Sequence, residues 1–179
     1  MSFPRTLARL AAVAVLAAQA TACSTTDAAD QPPASASGPY VAAQDAIQAG
    51  EYITTLGGCN DCHTPGWEET AGQVPVADRL TGSPVGFQGP WGTSYPANLR
   101  LSVQGHTAET WIGMVRARTG NPPMPWMNLH AMSDRDLAAV FQFLRQLGPK
   151  GVPAPAFVPP GREPVTPYID FTPRNLPTG

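Results

Sequence analysis

Apolar residues recur at helical spacing in three stretches of the chain, and between those stretches the periodicity disappears. The sharpest stretch is the last. Leu137, Val140, Phe141, Leu144 and Leu147 fall at i, i+3, i+4, i+7 and i+10, one face of an α-helix. Ser133 precedes them with Asp136 three residues on, a capping box with Asp for Glu, and Gly148-Pro149 ends the run. A middle helix is predicted from about Ala108 to Ala117, with Thr107 as N-cap, Glu109 in the first turn and Trp111, Ile112 and Val115 as its apolar stripe. Thr119-Gly120-Asn121-Pro122-Pro123 stops it. A first helix is predicted from about Val41 to Leu56 on Ala46, Ala49, Ile53 and Leu56, and Gly57-Gly58 breaks it.

From Thr64 to about Arg100 no period is sustained, and Pro and Gly punctuate a long loop layer. A loop of that length needs a role of its own. After Pro149, proline recurs too often for helix or central strand. Purely solvating tails carry few aromatics, yet Phe157, Val158, Tyr168, Ile169 and Phe171 are spaced through this one. Residues 149–179 are therefore predicted to lie along the domain as an extended strap, with a disordered tail or a docking peptide as the alternatives.

At the front, Arg5 and Arg9 precede an apolar run from Leu10 to Ala18, the pattern of an export signal and too short to span a bilayer. Ala20-Thr21-Ala22-Cys23 resembles a bacterial lipobox with Ala where Leu is usual, and also satisfies an ordinary signal peptidase. Residues 1–22 are read as signal peptide, Cys23 as a lipidated N-terminus and 23–39 as a flexible tether, leaving a domain at 40–148. Three cysteines minus a pair leave Cys23 alone, and lipidation removes a lone thiol from an oxidising compartment. Ser24 after it fits sorting to the outer membrane, so the expected location is periplasmic and membrane-tethered through acyl chains.

Charge narrows the partners. Without Arg5 and Arg9, the 11 basic residues fall to 9 against 13 acidic, which disfavours nucleic acid. Lys150 is the only lysine, so no ring of lysines can steer docking; Arg100, Arg116 and Arg118 are the basic residues left near the middle of the chain. Docking to partners is expected to be mostly apolar.

Cys59-Asn60-Asp61-Cys62-His63 carries the chemistry. Cys-x-x-Cys-His is the attachment signature of a c-type haem. Two thiols one helical turn apart can form thioethers to the haem vinyl groups, and the next residue offers an imidazole as axial ligand. Three other uses stand beside this. A redox pair would sit on a helix after a strand, and no strand-rich pattern precedes it. Zinc would need His106 and His130, both singly placed. A structural disulfide between Cys59 and Cys62 would strain a tight turn. One covalent haem c is the favoured reading, and the long loop would then wrap its edge.

Met124 leads as the second axial ligand. It lies in Pro122-Pro123-Met124-Pro125-Trp126, where prolines fix φ and can hold a loop sulfur without a helix. Met127 is the runner-up. Met132 lies near the last helix cap, Met114 within the middle helix, and His106 or His130 would make a bis-histidine site. Trp126, Tyr95, Asn98, Arg116 and Arg118 are candidates to meet the propionates, and a backbone carbonyl between Thr64 and Pro90 is expected to accept from His63 Nδ1.

From about Val41 to Leu147 the chain resembles a bacterial single-haem class I cytochrome c, on Cys59-x-x-Cys62-His63, the Met124-Pro125-Trp126 segment and the amphipathic last helix. The resemblance implies an all-α fold of about three main helices around the haem, with long loops, and the Pro-rich extension is an addition to it. It implies a one-electron carrier with no catalytic residues, passing electrons between a periplasmic dehydrogenase and an oxidase or another cytochrome. The alternative is a haem enzyme, or a cytochrome subunit of a dehydrogenase, with an exchangeable distal ligand. It also implies that the first and last helices cross near Gly50 or a neighbouring small residue, with Phe143 as the aromatic contact. The positions where the family usually carries a glycine and an aromatic before the first cysteine fall on Glu51 and Thr55.

Overall fold

The computed structural model describes residues 43–176, so the predicted signal peptide, Cys23 and the tether lie outside the described residues. Six α-helices follow in order: α1 (Ala46–Leu56), α2 (Cys59–His63), α3 (Leu99–Ser102), α4 (Ala108–Ala117), α5 (Trp126–Ala131) and α6 (Asp134–Leu147). Three short strands, β1 (Gly86–Gly89), β2 (Gly92–Ser94) and β3 (Tyr168–Asp170), form a sheet in the order β2-β1-β3. The expected all-α architecture is thus found as a helix-rich one that also carries a small sheet. No helix among the described residues is long and apolar enough to cross a membrane.

α4 and α6 stand where their caps and stripes place them. Thr107 and Ser133 each accept from the third backbone N–H of their helix, and Thr110 and Asp136 reach back to complete both capping boxes. α6 buries Leu137, Ala139, Val140, Phe141, Phe143 and Leu144, and its core neighbours include Leu80, Val103, Trp111 and Val115. Trp111 and Phe141 meet at 5.9 Å between ring centroids.

α1 ends at Leu56 as expected but departs from expectation in its start and in part of its buried face. It starts at Ala46 rather than near Val41, because Asp45 caps it by accepting from Gln48 N at 2.8 Å. Leu56, placed on the inner stripe by spacing, is 69% exposed. Ala49 is buried as its spacing predicts, Ile53 packs against the core, and Gly50 and Thr54 complete the buried face, small enough for α6 to come close. A Cβ added to Gly50 would lie 2.2 Å from Ala139 O and 2.6 Å from Phe143 Cβ. The helices therefore cross at Gly50, against Phe143. The inner positions fall on Gly50 and Thr54, one residue before Glu51 and Thr55.

The hairpin of β1 and β2 went unforeseen because its strands hold almost nothing apolar besides Phe87. What secures it comes from far along the chain. Phe87 pairs antiparallel with Ser94 and parallel with Ile169, and Phe87 and Phe171 meet edge to face at 5.4 Å. The C-terminal segment is thus an extended strap on the domain. Arg100, one of the three basic residues named near the middle of the chain, is buried, with 4% of its surface exposed. It donates to Gly148 O at 2.6 Å, to Ala77 O at 2.7 Å and to Leu147 O, closing the carbonyl end of α6.

Two glycine substitutions test the crossing. Gly50→Ala is expected to cost roughly 1–3 kcal/mol or more, because the methyl meets backbone that has no room to move. Gly113→Ala, on the open face of α4 with nothing within 4 Å, should gain about 0.5–1 kcal/mol. Urea denaturation of both variants reads the difference, and equal midpoints would contradict the crossing.

Candidate functional site

Gly57 ends α1, and Gly58 turns the chain through φ +68 into the five-residue helix α2, which carries both cysteines and His63. A chain of buried polar groups locks α2 in place. Asn60 Nδ2 lies 3.5 Å from Thr54 O, Thr64 Oγ1 donates to Asn60 Oδ1 at 2.8 Å, and Leu80 N donates to Thr64 Oγ1 at 2.8 Å. Gly82 N donates to His63 O, also at 2.8 Å.

His63 is itself buried, and its Nδ1 donates to Ala97 O at 2.6 Å. That acceptor lies seven residues beyond Pro90, the end of the loop expected to supply it, and just before α3. With Nδ1 carrying the proton, Nε2 keeps its lone pair free as a ligand. Burial pushes the imidazole below its ordinary pKa against the opposing pull of the Ala97 bond, which favours the neutral form a metal needs. Burial also pushes the Cys59 thiol up to about 11, with Asp61 adding to it, and burial followed by Asp61 and Glu68 raises Cys62. A redox pair needs a lowered thiol pKa, so these surroundings oppose that use. Among the described residues no three His, Cys, Asp or Glu side chains are grouped in a way that could hold a metal ion.

Cys59, Cys62 and His63 line one wall of a cavity with about 1560 Å³ of atom-free space, its open mouth included. Met124 lines the same cavity, brought there by the segment between α4 and α5. Trp111, Val115, Leu137, Val140 and Leu144 supply much of the apolar wall. Met114 and Met132 also reach the cavity from the core side. Met127 does not; it is 69% exposed and faces a neighbouring shallow groove. The other histidines stay outside: His130 Nε2 lies 3.1 Å from both Val115 O and Arg118 O, and His106 is exposed beside Thr110.

Of the polar candidates at the rim, Trp126 and Arg118 line the cavity, with the guanidinium 5.2 Å over the indole. Tyr95 lines it too, but its hydroxyl is bonded to Thr166 Oγ1 at 2.7 Å. Asn98 and Arg116 are engaged elsewhere. Asn98 donates to Lys150 O and Val152 O, and Arg116 binds Asp134 at 2.8 Å and the carbonyls of Leu129, His130 and Met132. Two neighbouring thiols, a free imidazole nitrogen and a thioether around an apolar cavity are a donor set suited to a covalently held iron porphyrin. No protein-family model, no curated protein and no solved structure matches the chain.

The polar chain under α2 is testable. Thr64→Val keeps the shape but strands the Leu80 N–H and the Asn60 carbonyl in the interior. The expected loss is roughly 1–3 kcal/mol for a group left unsatisfied, read by chemical denaturation. A variant within 0.5 kcal/mol of wild type would show that the chain does not hold the helix.

Proposed function

We propose that the protein is a one-electron carrier holding one haem c through Cys59 and Cys62, with His63 and Met124 as axial ligands, in the manner of a single-haem class I cytochrome c. The observation that carries this reading is the shared cavity: Cys59, Cys62, His63 and Met124 line the same largely apolar space. When bound, the iron supplies a couple between two oxidation states. The chain's own residues do the rest. Ala97 O fixes the plane and tautomer of His63. The prolines around Met124 limit how far its sulfur can move. Leu137, Val140 and Leu144 keep water from one side of the space and lower the local dielectric, which disfavours the more highly charged oxidised state.

Export and a lipid anchor at Cys23 belong to the same proposal. Haem attachment to thiols follows export, and a tether would confine the carrier near a periplasmic dehydrogenase and a terminal oxidase. The one lysine is already engaged, which fits docking without a lysine ring. Lys150 Nζ is paired with Asp78 and lies 3.2 Å from Ala77 O.

Absorption spectra of the ferric and ferrous protein test the ligation. A weak sulfur-to-iron band in the wild type, lost in Met124→Ala, together with no response to carbon monoxide, is the expected result. A high-spin spectrum or ready carbon monoxide binding would replace the carrier by an enzyme or sensor. Raising ionic strength from about 0.01 to 0.1 M shortens the screening length from roughly 30 to 10 Å. The electron-transfer rate to a partner should stay within about twofold over that range if docking is apolar.

A further inference from the structure

The segment that carries Met124 is stiffened by its prolines but has few hydrogen bonds to fix it to the rest of the domain. Pro122, Pro123 and Pro125 have no N–H to donate, and no helix or strand includes residues 119–125. Among the described residues, one hydrogen bond ties this segment to anything beyond the adjoining α5: Ser94 Oγ donates to Pro122 O at 2.7 Å. Pro122 O lies two residues before the methionine.

Ser94 is the last residue of β2, and the C-terminal strap fixes where β2 lies. Thr93 is fully buried, and it exchanges both backbone hydrogen bonds with Val158, at 2.8 and 3.0 Å. A Cβ on Gly92 would lie 2.3 Å from Val158 O, so strap and hairpin are in backbone contact. Further on, β3 pairs with β1 from Gly86↔Tyr168 to Gln88↔Asp170. The strap is fixed at its start as well, where the Asn98 amide donates to Lys150 O at 2.7 Å and Val152 O at 3.1 Å.

We infer that the C-terminal strap is a brace for the Met124 segment, acting through Thr93 and Ser94: the strap holds the hairpin, and the Ser94 hydroxyl holds the carbonyl two residues before the sulfur. Ser94 is a positioning residue on this account. The inference rests on Met124 being an axial ligand, as proposed above. A carrier gains from such a brace because a sulfur that leaves its place admits outside ligands.

The test uses the full-length, haem-loaded ferric protein and follows the rate at which imidazole displaces the methionine, read as loss of the sulfur-to-iron band. Ser94→Ala is expected to raise that rate roughly two- to tenfold, the effect of losing one hydrogen bond. Ser94→Thr, which keeps the hydroxyl, is expected to restore the wild-type rate. Truncation after Gly148 should raise the rate at least as much as Ser94→Ala does. Adding Ser94→Ala to the truncated chain should change nothing further, because both remove the same restraint. If the truncated chain fails to fold, Val158→Pro replaces it in the cycle, deleting the hydrogen bond from Val158 N to Thr93 O while leaving the rest of the strap present. An unchanged rate in Ser94→Ala, or effects that multiply in the combined variant, overturns the brace. So does a lowered unfolding midpoint with unchanged exchange, the mark of a merely structural role. A wild type that lacks the sulfur-to-iron band overturns the proposed ligation, and the brace falls with it.

Discussion

Where α1 crosses α6, backbone meets backbone, and much of the molecule is placed by that contact. Gly50 has no side chain to hold the Ala139 carbonyl away, and Thr54, next along the same face, is buried with its hydroxyl turned onto Glu51 O at 2.9 Å. No polar group is stranded at the crossing, and no bulk keeps the helices apart. One end of α1 leads through Gly57 and Gly58 into the helix bearing the thiols and His63. The inner face of α6 presents Leu137, Val140 and Leu144 to the same cavity. Both helices that meet at Gly50 thus contribute to the surroundings of the same cavity, α6 directly and α1 through the turn that follows it.

Four residues of helix form a second centre. α3 is too short to bury a stripe, yet Asn98 and Arg100 at its start are both buried and both bind carbonyls about fifty residues away, in the end of α6 and the beginning of the strap. Ala97, whose carbonyl holds His63, immediately precedes them. In a chain with only 13% charged residues, much of the long-range polar cohesion runs from side chain to backbone. The ion pairs that do exist, such as Arg116–Asp134 and Arg174–Asp170, lie mostly at the surface and add little.

What could be read in advance was local. α4 and α6 announce themselves because cap, stripe and stop all lie within a few residues of one another, and the Cys-His turn is legible because its three functional side chains span five positions. What was missed depended on distant partners. The Leu56 position was misjudged because the inner face of α1 is chosen by its fit to α6, not by its own hydrophobicity. The hairpin was invisible because Phe87 finds its neighbours at Ile169 and Phe171. Asn98 and Arg116 looked free to face a bound anion until their carbonyl partners were placed. The acceptor for His63 was sought too early in the loop because no side-chain type marks a carbonyl.

The proline content of the strap has a thermodynamic side. Pro149, Pro153, Pro155, Pro159, Pro160, Pro164, Pro167 and Pro173 recur along it. Ordering an ordinary backbone residue costs about 1–2 kcal/mol of entropy, and a strap of that kind would need a dense ladder to stay down. A proline-rich one is already extended and half-ordered before it docks. It behaves as a rod laid across the hairpin rather than a rope tied to it. A few widely spaced attachment points, at Asn98, Thr93 and β1, can therefore hold a segment of nearly thirty residues that buries little of its own.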